Sequence, residues 1–224
     1  MSATPAAQAH CRAGDWDPPL PSITRRTPDA GRRGPAEAEI LAATRRLLTG
    51  SANFTEIGVQ QICAEAGVAR STFYTHFRDK ADLLMRLATT MVAASFDVAS
   101  AWEPTDGAEG LADTFLQVIG VYREHIGVVR AVAEVGGYDA TVRAFWHDRL
   151  DRFRDRTVAV LRDEQDAGRS PASVSVASAG QIIVIGGERA IFDHVTDAGS
   201  DDDASFAREL ALTWWYGVYR RPAG

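Results

Sequence analysis

At 224 residues, with 46% apolar and 24% charged side chains and a formal net charge of −6, the chain is long enough for one or two domains with a sizeable core and too apolar for disorder throughout. No apolar run approaches the roughly 20 residues of a membrane span, and no apolar stretch follows the first charges as a secretory signal requires, so a soluble cytoplasmic protein without a membrane partner is expected. Two cysteines, Cys11 and Cys63, cannot by themselves build a disulfide framework or a four-ligand zinc site, and no metal or cofactor is expected.

Lys80 is the only lysine among 24 basic residues, an imbalance most simply read as GC-rich codon usage. Charge is unevenly placed. Residues 1–34 carry net +2, residues 35–91 net 0 and residues 92–224 net −8. If the chain meets a polyanion, the first 91 residues do so.

Residues 1–34 hold five of the nine prolines and no apolar periodicity, and they read as a disordered arm. Its Arg25-Arg26 and Arg32-Arg33 pairs suit either phosphate contacts or a solvated tail. After Pro35, Ile40, Leu41, Thr44, Leu47 and Leu48 make one stripe of a first helix, closed near Gly50. Val59, Ile62, Cys63 and Ala66 predict a short second helix, N-capped at Gly58 and ended by Gly67. Cys63 on that stripe reads as a small buried hydrophobe. About three residues later, Arg70 to Phe77 place Phe73 and Phe77 toward a core and leave a polar outer face. Two short helices joined by a glycine turn make a helix-turn-helix. Asp79 then caps a fourth helix that begins at Lys80 and carries Leu83, Leu84, Leu87, Met91 and Val92.

Beyond residue 100 the pattern stays helical, in segments of about 20–30 residues between turn signals. Val142, Phe145, Trp146, Leu150, Phe153, Thr157, Val160 and Leu161 line one face of a long helix. Gln181 to Gly187 has the composition of a buried strand, yet no comparable strand exists to pair with it. It is therefore taken as a helix apolar nearly all round, buried and suited to a subunit interface. The last segment places Phe206, Leu210, Thr213, Trp214, Gly217 and Val218 on one face, with Trp215 and Tyr219 on another.

Gly67-Val68-Ala69-Arg70-Ser71-Thr72-Phe73-Tyr74-Thr75-His76-Phe77-Arg78-Asp79-Lys80-Ala81-Asp82-Leu83-Leu84 closely resembles the DNA-binding signature of TetR-type transcriptional regulators, over about residues 35–85. Gly187 to Phe192 and Trp214 to Tyr219 are similar to the subgroup that includes the mycobacterial ethionamide-resistance repressor. The resemblance implies an all-α fold of about nine helices. Residues 35–82 would be the three-helix DNA-binding unit, and residues 83–224 a helical domain for effector binding and dimerisation. Helices at about 172–196 and 203–220 would pair two subunits into a homodimer on a palindromic double-stranded operator.

Carried over position by position, the DNA contacts implied are Gln60, Arg70, Ser71, Thr72, Tyr74, His76 and Lys80. Arg70 suits a bidentate pair with guanine, Ser71 and Thr72 a helix N-terminus at bases or phosphates, and Lys80 a phosphate. Tyr74 is also compatible with packing beside Phe73, and His76 with satisfying helix-end carbonyls. Ala69 departs from the family's usual Ser or Thr cap and forgoes about 1 kcal/mol there. An effector pocket is implied among Phe115, Tyr122, Trp146, Phe153, Ile183, Phe192 and Trp214, for a small apolar or amphipathic molecule. Ligand binding would tilt the fourth helix and release a repressor from DNA.

Two other classes compete. An enzyme finds no support in the five histidines, which form no H-E-x-x-H pair, nucleophile elbow or metal-spaced cluster, and no catalytic residue is expected. An interaction module without DNA binding stays open because the net charge of residues 35–91 is zero.

Overall fold

A computed structural model describes residues 33–50, 53–197 and 199–219. The expected arm lies outside them except for its last two residues. Among the described residues all regular structure is helical: α1 (Arg33–Thr49), α2 (Val59–Ala66), α3 (Arg70–His76), α4 (Lys80–Ala101), α5 (Gly107–Glu124), α6 (Ile126–Gly136), α7 (Ala140–Asp166), α8 (Val176–Asp197) and α9 (Asp203–Trp214). Short 3₁₀ turns precede α5 and α9, and a π turn (Trp215–Tyr219) extends α9. The all-α expectation and the number of helices both hold.

Helix ends follow local chemistry. α1 starts two residues ahead of Pro35, because a proline in the first turn removes only an N–H that has no partner anyway. Gly67 sits at φ 65°, and its N–H and that of Val68 close on the carbonyls of Ala64 and Cys63. That left-handed cap makes the sharp turn into α3. Ala69 caps α3 without a side-chain bond, whereas the Asp79 carboxylate accepts from the Asp82 N–H at 2.8 Å at the start of α4.

Two cores share one helix. The first collects Ile40, Ile62, Phe73, Phe77, Leu83, Leu84 and Leu87 and continues into Val128, Val132 and Val135 of α6. The second collects Met91, Val92, Phe115, Ile119, Leu161, Ile191 and Trp215. α4 enters the first core with Leu83, Leu84, Leu87 and Ala88 and the second with Met91 and Val92. The expected domain boundary at residues 82/83 therefore falls inside a helix that serves both sides. α6 approaches α1 so closely that a Cβ on Gly127 would stand 2.5 Å from the Leu48 carbonyl oxygen.

Three expectations change. By length and composition α4 is apolar enough to cross a membrane, which the run-length reading missed. Its apolarity is accounted for by packing into two cores at once. Gln181 to Gly187 is helical, but α8 is not buried all round. Ile183, Val184 and Gly187 face the core, whereas Ile182 is 69% exposed and Ile185 46%. The buried face at the C-terminus is also rotated from the expected one. Ala207, Ala211, Trp215, Val218 and Tyr219 are buried, and Thr213 and Gly217 are exposed. Small alanines let α9 lie close on α5, and the wider π turn swings Trp215 and Tyr219 inward, where their rings pack 5.6 Å apart.

Candidate nucleic-acid interface and ligand cavity

α3 owes its orientation to Phe73 and Phe77, both almost fully buried and 5.5 Å apart between ring centroids. Anchoring that face turns Arg70, Ser71 and Tyr74 to solvent, with Thr72 half-buried, while Gln60 of α2 is exposed nearby in the same motif. Tyr74 does two things at once. Its ring meets Phe73 edge-on at 5.3 Å, yet the residue is 48% exposed. The Arg70 guanidinium lies 5.6 Å from the Tyr74 ring centre, with Nη2 3.4 Å from the phenol oxygen. An exposed arginine is thereby held against an aromatic face, a pre-oriented fork for a guanine edge or a phosphate. Arg78 is also exposed, with its guanidinium 3.8 Å from Asp82. Cys63 is buried beneath this face, and burial pushes its thiol pKa up, which suits the packing role expected of it.

Two expected DNA contacts are otherwise engaged. The His76 side chain is only 7% exposed, with Nδ1 3.9 Å from a Glu37 carboxylate oxygen that belongs to α1. Glu37 also takes a 2.7 Å bond from Arg86 of α4. The imidazole thus helps hold α3 onto α1 and α4. Lys80 donates to the carbonyls of Phe54 (2.7 Å) and Thr55 (3.1 Å), and its ammonium lies 4.7 Å from the Phe54 ring centre. Burial pulls its pKa down, with Glu134 opposing. From the other side, the Glu134 carboxylate of α6 accepts the N–H groups of Phe54 (2.9 Å) and Thr55 (3.0 Å). The lone lysine is one jaw of a clamp on the α1–α2 loop. Sequence spacing cannot show this, since the other jaw, Glu134, lies 80 residues from the Phe54 it holds.

The second site is a cavity of about 120 Å³ enclosed by α4, α5, α7, α8 and the end of α9. Phe115, Tyr122, Phe153 and Trp214, all expected there, line it. Phe115 meets Trp214 edge-on at 4.8 Å, and Phe153 meets Phe96 at 5.1 Å. Of the other three expected residues, Ile183 packs into the core, and Phe192 lines a separate surface groove between α6, α7 and α8, beyond Glu188, which borders both spaces. Trp146 lines that groove and also a small annex that shares Ser95, Tyr122, Leu150 and Phe153 with the cavity.

The sequence reading also missed the contribution of α4 to the wall: Ser95, Phe96, Ala99 and Ser100. The serines carry no distinct signal in the sequence, since α4 also holds Asp82, Arg86, Thr89, Thr90 and Asp97. Tyr122, wholly buried, has its phenol pKa driven up by desolvation. Burial likewise raises the Glu188 carboxyl, against a hydrogen bond from Trp146 and the charge of Arg189.

A helix-turn-helix with an exposed arginine-bearing second helix, joined through one helix to an aromatic-walled cavity, is the arrangement of a DNA-binding type of regulator with a separate pocket. Residues 40–87 match the family of bacterial regulatory proteins, tetR family, and residues 111–219 match the C-terminal domain of the transcriptional regulator EthR. The chain belongs to the TetR family, whose members are transcription regulators and not enzymes, and it has an EthR-like C-terminal domain.

The chain is 26% identical over 164 residues to the HTH-type transcriptional regulator EthR of Mycolicibacterium smegmatis, spanning 72% of this chain and 75% of that one. It is 27% identical over 191 residues to EthR of Mycobacterium tuberculosis, spanning 82% and 87%. Among solved structures, Salmonella enterica GusR superposes with a TM-score of 0.69 at 20% identity, covering 84% of this chain and 96% of its own. Bacillus subtilis FadR, in complex with stearoyl-CoA, superposes at 0.64 and 16%, covering 81% and 98%. These structures share the fold.

Proposed function

We propose that this protein is a homodimeric repressor whose paired α3 helices read a palindromic operator and whose grip is released when a mostly apolar small molecule fills the cavity. One observation carries the reading. α4 begins at the DNA-reading unit, with Lys80 on the α1–α2 loop, and ends as a wall of the cavity, with Ser95 to Ser100. A ligand that prefers a tilted α4 thus changes where α3 stands, and operator and ligand oppose each other reciprocally.

In this reading residues 35–82 form the reading unit and residues 83–224 the effector and dimer unit. Gln60, Arg70, Ser71, Thr72 and Tyr74 contact DNA. His76 and Lys80 hold the reading helix and its neighbouring loop in place. The exposed Ile182 and Ile185 of α8 and Tyr216 beyond α9 supply an apolar face for the partner subunit. A two-fold dimer would set the two α3 helices about 34–36 Å apart, one turn of DNA.

The test is selection from a pool of random duplexes at two salt concentrations. An enriched palindrome with a steep salt dependence supports the reading. Weak binding without enrichment at both concentrations contradicts it and favours an interaction module.

A further inference from the structure

The serines on the cavity wall behave unlike other hydroxyl side chains buried in helices of this protein. Thr44, Thr114 and Thr196 each donate to the carbonyl four residues back, at 2.8–2.9 Å, which silences their polarity. Ser95 and Ser100 do not. Both hydroxyl oxygens are sealed from solvent and have no hydrogen-bond partner, and Ser95 as a residue is 3% exposed. Both line the cavity. Leaving a buried hydroxyl unpaired costs about 1–3 kcal/mol, so a wall serving only packing would carry alanine at both positions.

The two serines are five residues apart on α4, a rise of about 7.5 Å along the helix and a rotation of about 140° around it, so a ligand reaching both must curve along the α4 wall. The space between and opposite them is apolar and aromatic: Phe96, Phe115, Phe153 and Trp214. At the Ser95 end a second donor is idle. Arg149 lines a small annex that shares Ser95, Tyr122, Leu150 and Phe153 with the main cavity, and its Nε is buried without a partner. Of the charges at the wall, Arg156 donates to Glu103 at 2.6 Å, whereas burial raises the Glu188 carboxyl pKa and Arg189 beside it bonds Asp193.

Resting on the reading of the cavity as the effector site, we infer that its ligand is an elongated molecule with an apolar middle and two hydrogen-bonding groups spaced to reach Ser95 and Ser100. The group at the Ser95 end accepts a hydrogen bond. Recognition through α4 itself ties ligand polarity to the helix that carries the signal.

The probes are a length series of straight-chain α,ω-diols beside the monoalcohols of equal length, titrated against the full chain by tryptophan fluorescence and calorimetry. One diol length is expected to bind at least threefold to tenfold more tightly than its monoalcohol. In Ser95→Ala and in Ser100→Ala that advantage disappears, while the monoalcohol that uses only the other serine keeps its affinity. Both variants melt at or above the wild-type temperature, because each removes an unpaired group; a marked drop would mean that the hydroxyls serve the fold and would overturn the inference. Equal binding of diols and monoalcohols at every length, with no effect of either substitution, overturns it while leaving the cavity as an apolar ligand site. Failure of every probe to bind overturns the cavity reading as well.

Discussion

Arg70 differs from its basic neighbours in being held against an aromatic ring while fully open to solvent, so its loss should alter which sequence is bound as well as how tightly. For Arg70→Ala the expected cost is about 1–3 kcal/mol at one base pair, with specificity relaxed there. Arg78→Ala, at a position suited only to phosphate, should weaken all duplexes alike and lower the salt slope by about one. Fluorescence anisotropy on the selected operator and its single-base variants separates the two. That Arg70 stands open to solvent was readable from the motif, because positions on one short helix are local. That Lys80 and His76 turn back into the protein was not, since it depends on Phe54 and Glu37, which lie on other elements.

Asp203 offers a second residue-scale prediction. Its carboxylate takes bonds from Arg123 and lies 2.8 Å from His194 Nε2, and Arg123 also reaches the Gly199 carbonyl. The Arg123 bond, first, holds its pKa below the ordinary aspartate value against the upward push of burial, and His194 adds a smaller lowering. The folded state therefore binds the proton less readily than the unfolded one. The cluster's stabilisation is full above the ordinary aspartate range, about 4, and is lost as pH falls through the lower folded value. Asp203→Asn should cost on the order of 1–3 kcal/mol at neutral pH and lack that acid-side loss. Thermal melts across pH check both. Asp193, next to His194 in sequence, bonds Arg189 instead, and the histidine turns to α9.

At the scale of elements, helix existence and order were legible because apolar spacing is a local property, and the glycine at Gly67 fixed the turn between α2 and α3. Faces were less legible. The reading of the C-terminus weighted large residues, whereas close helix contact chose Ala207 and Ala211 and so rotated the buried side. The α1–α2 loop makes the element-scale prediction. Its two N–H groups rest on Glu134 and its carbonyls on Lys80. Glu134→Gln places a donor against a donor there. It should lower stability by about 1–3 kcal/mol and weaken operator binding uniformly across sequences, since no base contact is touched. Urea unfolding and the same anisotropy series measure the pair of effects.

The whole molecule is a reading head and a ligand chamber joined by α4, with α6 clamped beside it. Dimerisation belongs to this scale. Ile182 and Ile185 stand in the open on a helix whose other side is core, and Ile185→Lys should leave the fold intact while splitting the dimer in sedimentation. Operator affinity should fall by orders of magnitude, because each subunit then holds a half-site alone. The chamber was only half legible in advance. Its aromatics announce themselves, but hydroxyls on α4 become informative only when their missing partners are seen.

The account turns on the claim that what fills the cavity decides what α3 can bind. Val118 of α5 lines the cavity, away from both the reading head and the exposed α8 face. Val118→Phe would occupy that space from within, with no ligand required. Operator affinity should fall by tenfold or more, within the usual range of coupling between sites, with the dimer and melting temperature retained. Unchanged affinity in a folded dimeric Val118→Phe protein would contradict the account.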